Sequence, residues 1–303
     1  MEFKHQPVLL QEVLEYLPFK NGGIFVDGTL GGGGHTRALL EKLQVASNKL
    51  QVIGIDQDLE AIFAAKKNLK EFSDQVEFVH DNYLNLAEIL KSKGIEKVDG
   101  ILLDLGVSSY QLDNKDRGFS FLTDASLDMR MNQSDTESAA DIINNYSEED
   151  LAGIFYDWGE ERNSRKIAKN IAEARKTEKI ETTNQLSKIV EQSFPASYKN
   201  KYKIHPATRV FQALRIETNN ELNILKEFIP QAAELLADGG RLLIISFHSL
   251  EDGIAKHAFR ELEQKFPKKF KVLTKKPLTA TENEIRENLR SRSAKLRVLE
   301  KLN

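Results

Sequence analysis

Ile24-Phe25-Val26-Asp27-Gly28-Thr29-Leu30-Gly31-Gly32-Gly33-Gly34-His35-Thr36 reads as a short apolar run, a loop with five glycines and the start of a helical pattern. A strand that turns through such a loop into a helix presents backbone N–H groups to a ligand, as parallel α/β sheets do. Glycine suits that loop because it takes positive φ and leaves no Cβ between backbone and ligand.

Outward from this stretch the alternation continues. Pro7 to Leu17 has apolar residues three and four apart, with Pro near the first helical position. Ala38, Leu39, Leu40 and Leu43 mark the helix after the loop. Gln51 to Ile55 is strand-like and ends at Asp56, and a helix follows through Ala61, Ile62, Ala65 and Leu69. Val76 to Val79 runs into His80-Asp81-Asn82-Tyr83; after a helix over Leu84–Leu90, Val98 to Leu103 ends at Asp104. Such alternation implies a parallel sheet with right-handed crossovers and a ligand at the carboxyl ends of the strands. Asp27, Asp56, Asp81 and Asp104 all fall at that edge. One acid at a strand end is ordinarily a cap or turn residue; four in succession weaken that reading.

Beyond Asp104 strand signals cease for about a hundred residues and short, partly basic helical patterns take over. The expected division is a sheet domain over 1–109, a helical insertion over 110–204 and the rest of the sheet domain over 205–303. In the last part a long helix is expected to stop at Asp238-Gly239-Gly240, and Arg241 to Phe247 forms a fifth strand. Phe270–Thr274 and Ala294–Leu299 alternate apolar and basic residues and read as outer strands.

With 303 residues, 29% charged and 40% hydrophobic, the chain is long enough for a substantial core. No apolar run approaches the ~20 residues of a membrane span, and no signal region precedes the first helix. The absence of cysteine excludes disulfides and thiolate metal sites and fits a reducing cytoplasm. The six histidines never pair at i, i+4, so no zinc site is expected. A net charge of −3 conceals an asymmetry. Glu160–Arg215 carries 13 basic and 6 acidic residues, and Lys256–Asn303 carries 14 and 6. These regions suggest a polyanionic partner, with solvated helix faces as the ordinary alternative.

Which ligand suits the glycine loop follows from what it lacks. Gly34-His35-Thr36 has no lysine of a phosphate-binding P-loop, and no register of Gly28 to Gly34 gives a dinucleotide fingerprint. Asp27 would repel a pyrophosphate but attract an ammonium and a sulfonium, which S-adenosylmethionine carries. Asp56 is placed to accept from ribose hydroxyls, a role common to both cofactor classes.

Taken in order, His5-x-Pro7-Val8-Leu9-Leu10-x-Glu12, the Asp27–Thr36 loop, Asp99–Ser109, Arg117–Phe121, Leu127–Met131, His205–Arg209, Ile245–Asp252 and Arg292–Arg297 resemble the bacterial 16S rRNA (cytosine-N4) methyltransferase family. The resemblance spans the chain. It implies a Rossmann-like S-adenosylmethionine-dependent methyltransferase sheet with an inserted helical subdomain for substrate recognition. The implied reaction is methylation of the exocyclic N4 of a cytidine in the decoding region of small-subunit rRNA. By motif match Gly33, Gly34 and His35 would contact the methionine end of the cofactor, Asp56 the ribose and Tyr83 the adenine region. Asp104 and Gln111 fall on the remaining cofactor positions. Many amino-methyltransferases place Asp/Asn-Pro-Pro-Tyr/Phe after the fourth strand, where this chain has Asp104-Leu105-Gly106-Val107-Ser108. Asp104 is therefore the candidate acceptor near either the target amine or the cofactor's ammonium. Phe119 and Phe121 are candidates for stacking a flipped base, with core packing as the alternative. Arg209 and Arg215, with Lys199, Lys201 and Lys203, are candidates for RNA phosphates. The rival functions are methylation of another RNA or a protein, and non-catalytic RNA binding in ribosome assembly.

Overall fold

The computed structural model describes residues 7–18, 23–44, 50–108, 111–112, 114–195 and 204–303. His5, Lys199, Lys201 and Lys203, singled out from the sequence, lie outside the described residues. The chain divides into two compact units, Met1–Ser108 with Leu222–Asn303, and Ser109–Glu221.

The first unit holds the sheet. Its strands are β1 (Gly23–Asp27), β2 (Leu50–Asp56), β3 (Val76–His80), β4 (Val98–Asp104), β5 (Leu236–Ser246), β6 (Phe270–Val272), β7 (Leu278–Thr279) and β8 (Lys295–Lys301). The order is β3-β2-β1-β4-β5-β8-β6, with β7 paired to β8 off that path. The first five strands are mutually parallel, and β8 runs antiparallel to β5. The strand order reverses between β1 and β4, so their carboxyl ends flank the crevice where such sheets take ligands.

Both faces of the sheet are covered, which explains strands that read as continuous apolar runs rather than alternating ones. On one face, Val13 of α1 (Leu10–Tyr16), Leu39 and Leu40 of α2 (Gly34–Gln44) and Ile62 and Ala65 of α3 (Leu59–Asn68) pack on Phe25, Val52 and Leu243. On the other lie Leu86 and Leu90 of α4 (Leu86–Ser92), with Val26, Ile101 and Ile244 in the same cluster. Phe228 and Ile229 of α10 (Glu221–Leu235) and Phe259 of α11 (Ser249–Lys265) complete it. Each such fully buried Leu, Ile or Phe contributes about 1.5–3 kcal/mol.

Two features depart from the sequence expectation. Helix α10 ends at Leu235, and Asp238-Gly239-Gly240 belongs to the entry of β5, where its register with β4 shifts. A Cβ on Gly240 would stand 2.8 Å from the Ala237 carbonyl oxygen and 3.1 Å from those of Val98 and Asp99, so this glycine admits close backbone approach. Strand β8 is interior, between β5 and β6, rather than outer. Its basic residues are accommodated by pairing: Arg297 Nε donates to Asp252 Oδ1 at 2.6 Å, and Lys301 Nζ donates to the Leu236 carbonyl at 2.7 Å.

The second unit is helical: α5 (Ala139–Asn145), α6 (Glu148–Asp157), α7 (Ser164–Ala174), α8 (Thr183–Gln192) and α9 (Ala207–Thr218). Ile142, Leu151, Phe155, Ile167, Ile171, Leu186 and Val190 form its core. Helix α9, grouped from sequence with the second part of the sheet domain, buries Val210, Phe211 and Leu214 in this core. No described helix is long and apolar enough to cross a membrane.

Candidate functional site

At the carboxyl end of β1 the chain turns through Gly28 to Gly33 into α2. Gly33 takes φ +78, and a Cβ there would meet Leu69 Cδ1 at 2.7 Å. Both the backbone and the packing thus require glycine. Gly34 is the first residue of α2, so its N–H belongs to the unsatisfied donors of a helix start.

The Asp27 carboxylate, which the sequence reading set at the mouth of the loop, is turned inward and is only 2% exposed. Its Oδ2 accepts from the Thr36 hydroxyl at 2.7 Å, so it ties the end of β1 to the first turn of α2. Burial pushes its carboxyl up to about 6, against the hydrogen bonds of Thr36 and the Thr29 backbone. Asp56, at the end of β2, accepts from Gly31 N at 2.8 Å through Oδ2 and from Asp58 N at 2.9 Å through Oδ1. It therefore holds the glycine loop, and burial pushes it also up to about 6. Each of its oxygens keeps a second lone pair for a hydroxyl ligand. Asp81 accepts from Asn82 N and Asn85 Nδ2, both at 2.7 Å, the ordinary work of a turn residue.

Asp104 differs from these three. Its backbone N–H donates to Thr29 Oγ1 at 2.6 Å, which seats the end of β4 against the loop. Its side chain is 22% exposed, yet Oδ1 is buried and has no hydrogen-bond partner among the described residues. Oδ2 stands 3.7 Å from His35 Nδ1, beyond hydrogen-bond reach. Burial, then the neighbouring charges of Asp27 and Glu251, pushes the Asp104 carboxyl up to about 8. His35 is 7% exposed and its Nε2 lies 2.9 Å from the Val8 carbonyl oxygen. A carbonyl only accepts, so Nε2 carries the proton, and the ring spans the N-terminal segment and Asp104.

Glu251 carried no role in the sequence reading, and the structure makes it part of the site. It is 2% exposed, accepts from Phe247 N at 2.8 Å, and lies 3.1 Å from His248 Nε2. Its sequence signals are its place in the Ile245–Asp252 block and its position three residues after His248 at a helix start, the spacing of a capping box.

Tyr83 packs edge-on against Phe228 at 4.9 Å between ring centroids, near Gly28, where a Cβ would stand 3.3 Å from Tyr83 Cβ. Gln111 belongs to the residues of the helical unit and is 4% exposed. In that unit Phe121 stacks on His205 at 4.7 Å and meets Phe211 edge-on at 5.1 Å, an aromatic cluster. The Arg117 guanidinium lies 5.8 Å from the Phe119 ring centroid. Arg215 is bound by both oxygens of Glu221, at 2.7 and 2.9 Å. Arg209 is 46% exposed, and its Nη1 donates to the Glu160 carbonyl at 3.1 Å.

The fit to a cationic ligand rests on the donor set. Three carboxyls and Glu251 gather at the ends of β1, β2, β4 and β5, and no arginine or lysine among the described residues pairs with Asp27, Asp56 or Asp104. An ammonium arriving at Asp104 Oδ1 would satisfy the orphaned oxygen and offset the burial, and then the neighbouring charges, that raise its pKa.

A family model described as the MraW methylase family matches residues 2–302. Relatives named Ribosomal RNA small subunit methyltransferase H align over full lengths. The protein of Clostridium botulinum (strain Loch Maree / Type A3) is 49% identical over 315 residues, covering 100% of each chain. That of Clostridium botulinum (strain 657 / Type Ba4) is 50% identical over 315 residues, again covering 100% of each. That of Clostridioides difficile (strain 630) is 46% identical over 318 residues, with 100% of each covered.

Proposed function

This chain belongs to the MraW methylase family, and from that premise we propose that it transfers a methyl group from S-adenosylmethionine to the exocyclic N4 of a cytidine in small-subunit rRNA. The observation that carries the reading is the full-length match, at about half identity, to relatives named for small-subunit rRNA methylation. The carboxylate-lined strand ends supply matching chemistry.

When bound, S-adenosylmethionine would supply an electrophilic methyl group on a sulfonium. The chain's own residues bind and orient. Gly33, Gly34 and His35 would hold the methionine end, with Asp104 Oδ1 accepting from its ammonium. Asp56 would accept from the ribose hydroxyls while its hold on Gly31 N keeps the loop in place. Tyr83, edge-on to Phe228, would offer its ring to the adenine. Asp104, pushed up to about 8, binds a proton at pH 7 when no cation is near; a cation at Oδ1 draws the carboxyl down and releases that proton. Cytosine N4 is a weak nucleophile because its lone pair is delocalised into the ring. Positioning is therefore the main contribution asked of the protein, and it can supply about 7–11 kcal/mol. No dedicated base is required, since N4 becomes strongly acidic once methylated and gives its proton to water.

The test is transfer of labelled methyl groups from S-adenosylmethionine to small subunits from a strain lacking this gene, with mapping of the modified base. Label on cytosine N4 is expected. Label on another base, on protein, or nowhere would replace this reading by one of its rivals.

A further inference from the structure

Helix α7 is two-faced. Ser164, Ile167, Ala168 and Ile171 are buried in the core of the helical unit, while Arg165, Lys166 and Lys169 are exposed, as is Arg162 in the turn that leads into the helix. The spacing 162, 165, 166, 169 puts these four cations along one side. No acidic residue occurs between Arg162 and Ala172. None of the four forms a hydrogen bond or ion pair among the described residues, and Lys169 acts only at a distance on Glu173, which is bonded to Lys176 at 2.8 Å.

Three other cations of the unit, Arg175, Arg130 and Arg215, are engaged in holding it together, whereas Lys179 and Lys188 are exposed. Arg175 donates to the Ile143 and Tyr146 carbonyls, both at 2.6 Å. Arg130 is bound by Asp128 and Arg215 by Glu221. Arg209 is engaged as well: its guanidinium donates to the Glu160 carbonyl and lies 3.8 Å from the Glu161 carboxylate, next to the backbone that leads into Arg162. Glu161 is buried, whereas Glu160 is exposed on the same turn.

The first turn of α7 contains no acid, and the positive charges of Arg162, Arg165 and Lys166 there oppose the helix dipole. A surface that keeps three exposed cations at an electrostatic cost to its own helix, with Lys169 one turn on, is suited to a polyanion. We propose that this face of α7 docks the phosphate backbone of the substrate RNA, an inference that rests on the reading above as an rRNA methyltransferase. The contact positions the RNA without reading its sequence, and counterion release from the phosphates drives it.

The test uses the full chain and an unmodified small-subunit rRNA transcript, with binding measured between 50 and 200 mM salt. In the combined variant Arg162→Gln, Arg165→Gln, Lys166→Gln, Lys169→Gln, the slope of log affinity against log salt should fall by about 2–3, and affinity at 150 mM should drop roughly 10–100-fold. Its melting temperature should stay level or rise, and its affinity for S-adenosylmethionine should not change. A control removes equal charge from the sheet unit, Lys268→Gln, Lys271→Gln, Lys275→Gln, Lys276→Gln, all exposed, and should keep most of the slope. An unchanged slope in the α7 variant, or equal losses in both variants, overturns the docking surface. If the wild-type protein methylates no rRNA, the functional reading itself fails; if it does and the α7 variant is as active at subsaturating RNA, only the docking surface fails.

Discussion

Asp104→Asn should stabilise the cofactor-free protein while weakening its cofactor binding. The carboxyl is pushed from 3.8 up to about 8 by burial and by the charges of Asp27 and Glu251. A raised carboxyl favours the folded state only in its protonated form. That stability is fully present below pH 3.8 and is lost progressively as the pH rises towards 8. At 1.36 kcal/mol per unit, the loss at pH 7 has a ceiling of ~4 kcal/mol. Solvent reaches a side chain that is 22% exposed, so about half of that ceiling is the working figure. Asparagine keeps the shape and does not ionise. A gain of ~2 kcal/mol corresponds to a melting temperature higher by about 4–8 °C at pH 7–8. The gain should shrink by more than half at pH 5. Thermal scans of both proteins from pH 5 to 8.5 read the difference directly. Calorimetric titration with S-adenosylmethionine at pH 7 should show the variant at least ~10-fold weaker, since a charge-assisted contact of about 1.5–3 kcal/mol is lost. Wild-type binding should also release protons, visible as a dependence of the binding heat on buffer. A variant that melts at or below the wild-type temperature at pH 8, or whose difference is flat with pH, would refute the reasoning.

Thr36→Val removes the 2.7 Å donor to buried Asp27 and should cost ~1–3 kcal/mol in denaturant unfolding, with the penalty growing as pH rises through 6. Gly33→Ala meets both a φ of +78 and a 2.7 Å contact with Leu69 Cδ1, so it should lower stability by at least ~1 kcal/mol and reduce cofactor affinity. Pairing it with Leu69→Ala, which opens the space, should recover part of that affinity; no recovery would place the defect in the backbone alone. Arg215→Ala leaves Glu221, 12% exposed, without its bidentate partner, and should lower the melting temperature while leaving the salt slope of RNA binding intact. Arg297→Met should destabilise by ~3 kcal/mol, because Asp252 loses its 2.6 Å partner in a largely buried pair.

Much of the architecture was already legible in the residues. The first four strands, the glycine loop and the acids at the strand ends follow from short-range rules: apolar runs bounded by turn residues, and helical spacing of three and four. Those rules operate between near neighbours, so one chain suffices to read them. Helix α9 and strand β8 were harder to place. Their patterns give the element type, but membership in one unit or position in the sheet depends on what each packs against. Interior β8 reads as an edge because Lys295 and Arg297 are basic, and only their distant shared partner, Asp252, makes them tolerable inside.

The same division runs through the site. From sequence alone came the identity of the loop, the presence of Asp27, Asp56 and Asp104 at one edge, and a basic stretch that includes α7. Only the tertiary structure decided that Asp27 turns inward to Thr36, that Asp104 keeps an orphaned oxygen, and that Glu251 adds its charge there. It also separated Arg215, held by Glu221, from the four cations in and just before α7, which have no partner among the described residues. Residue type and spacing set which charges a segment carries. The direction of each side chain, and the partner that neutralises it or fails to, is settled by packing between segments far apart in the chain.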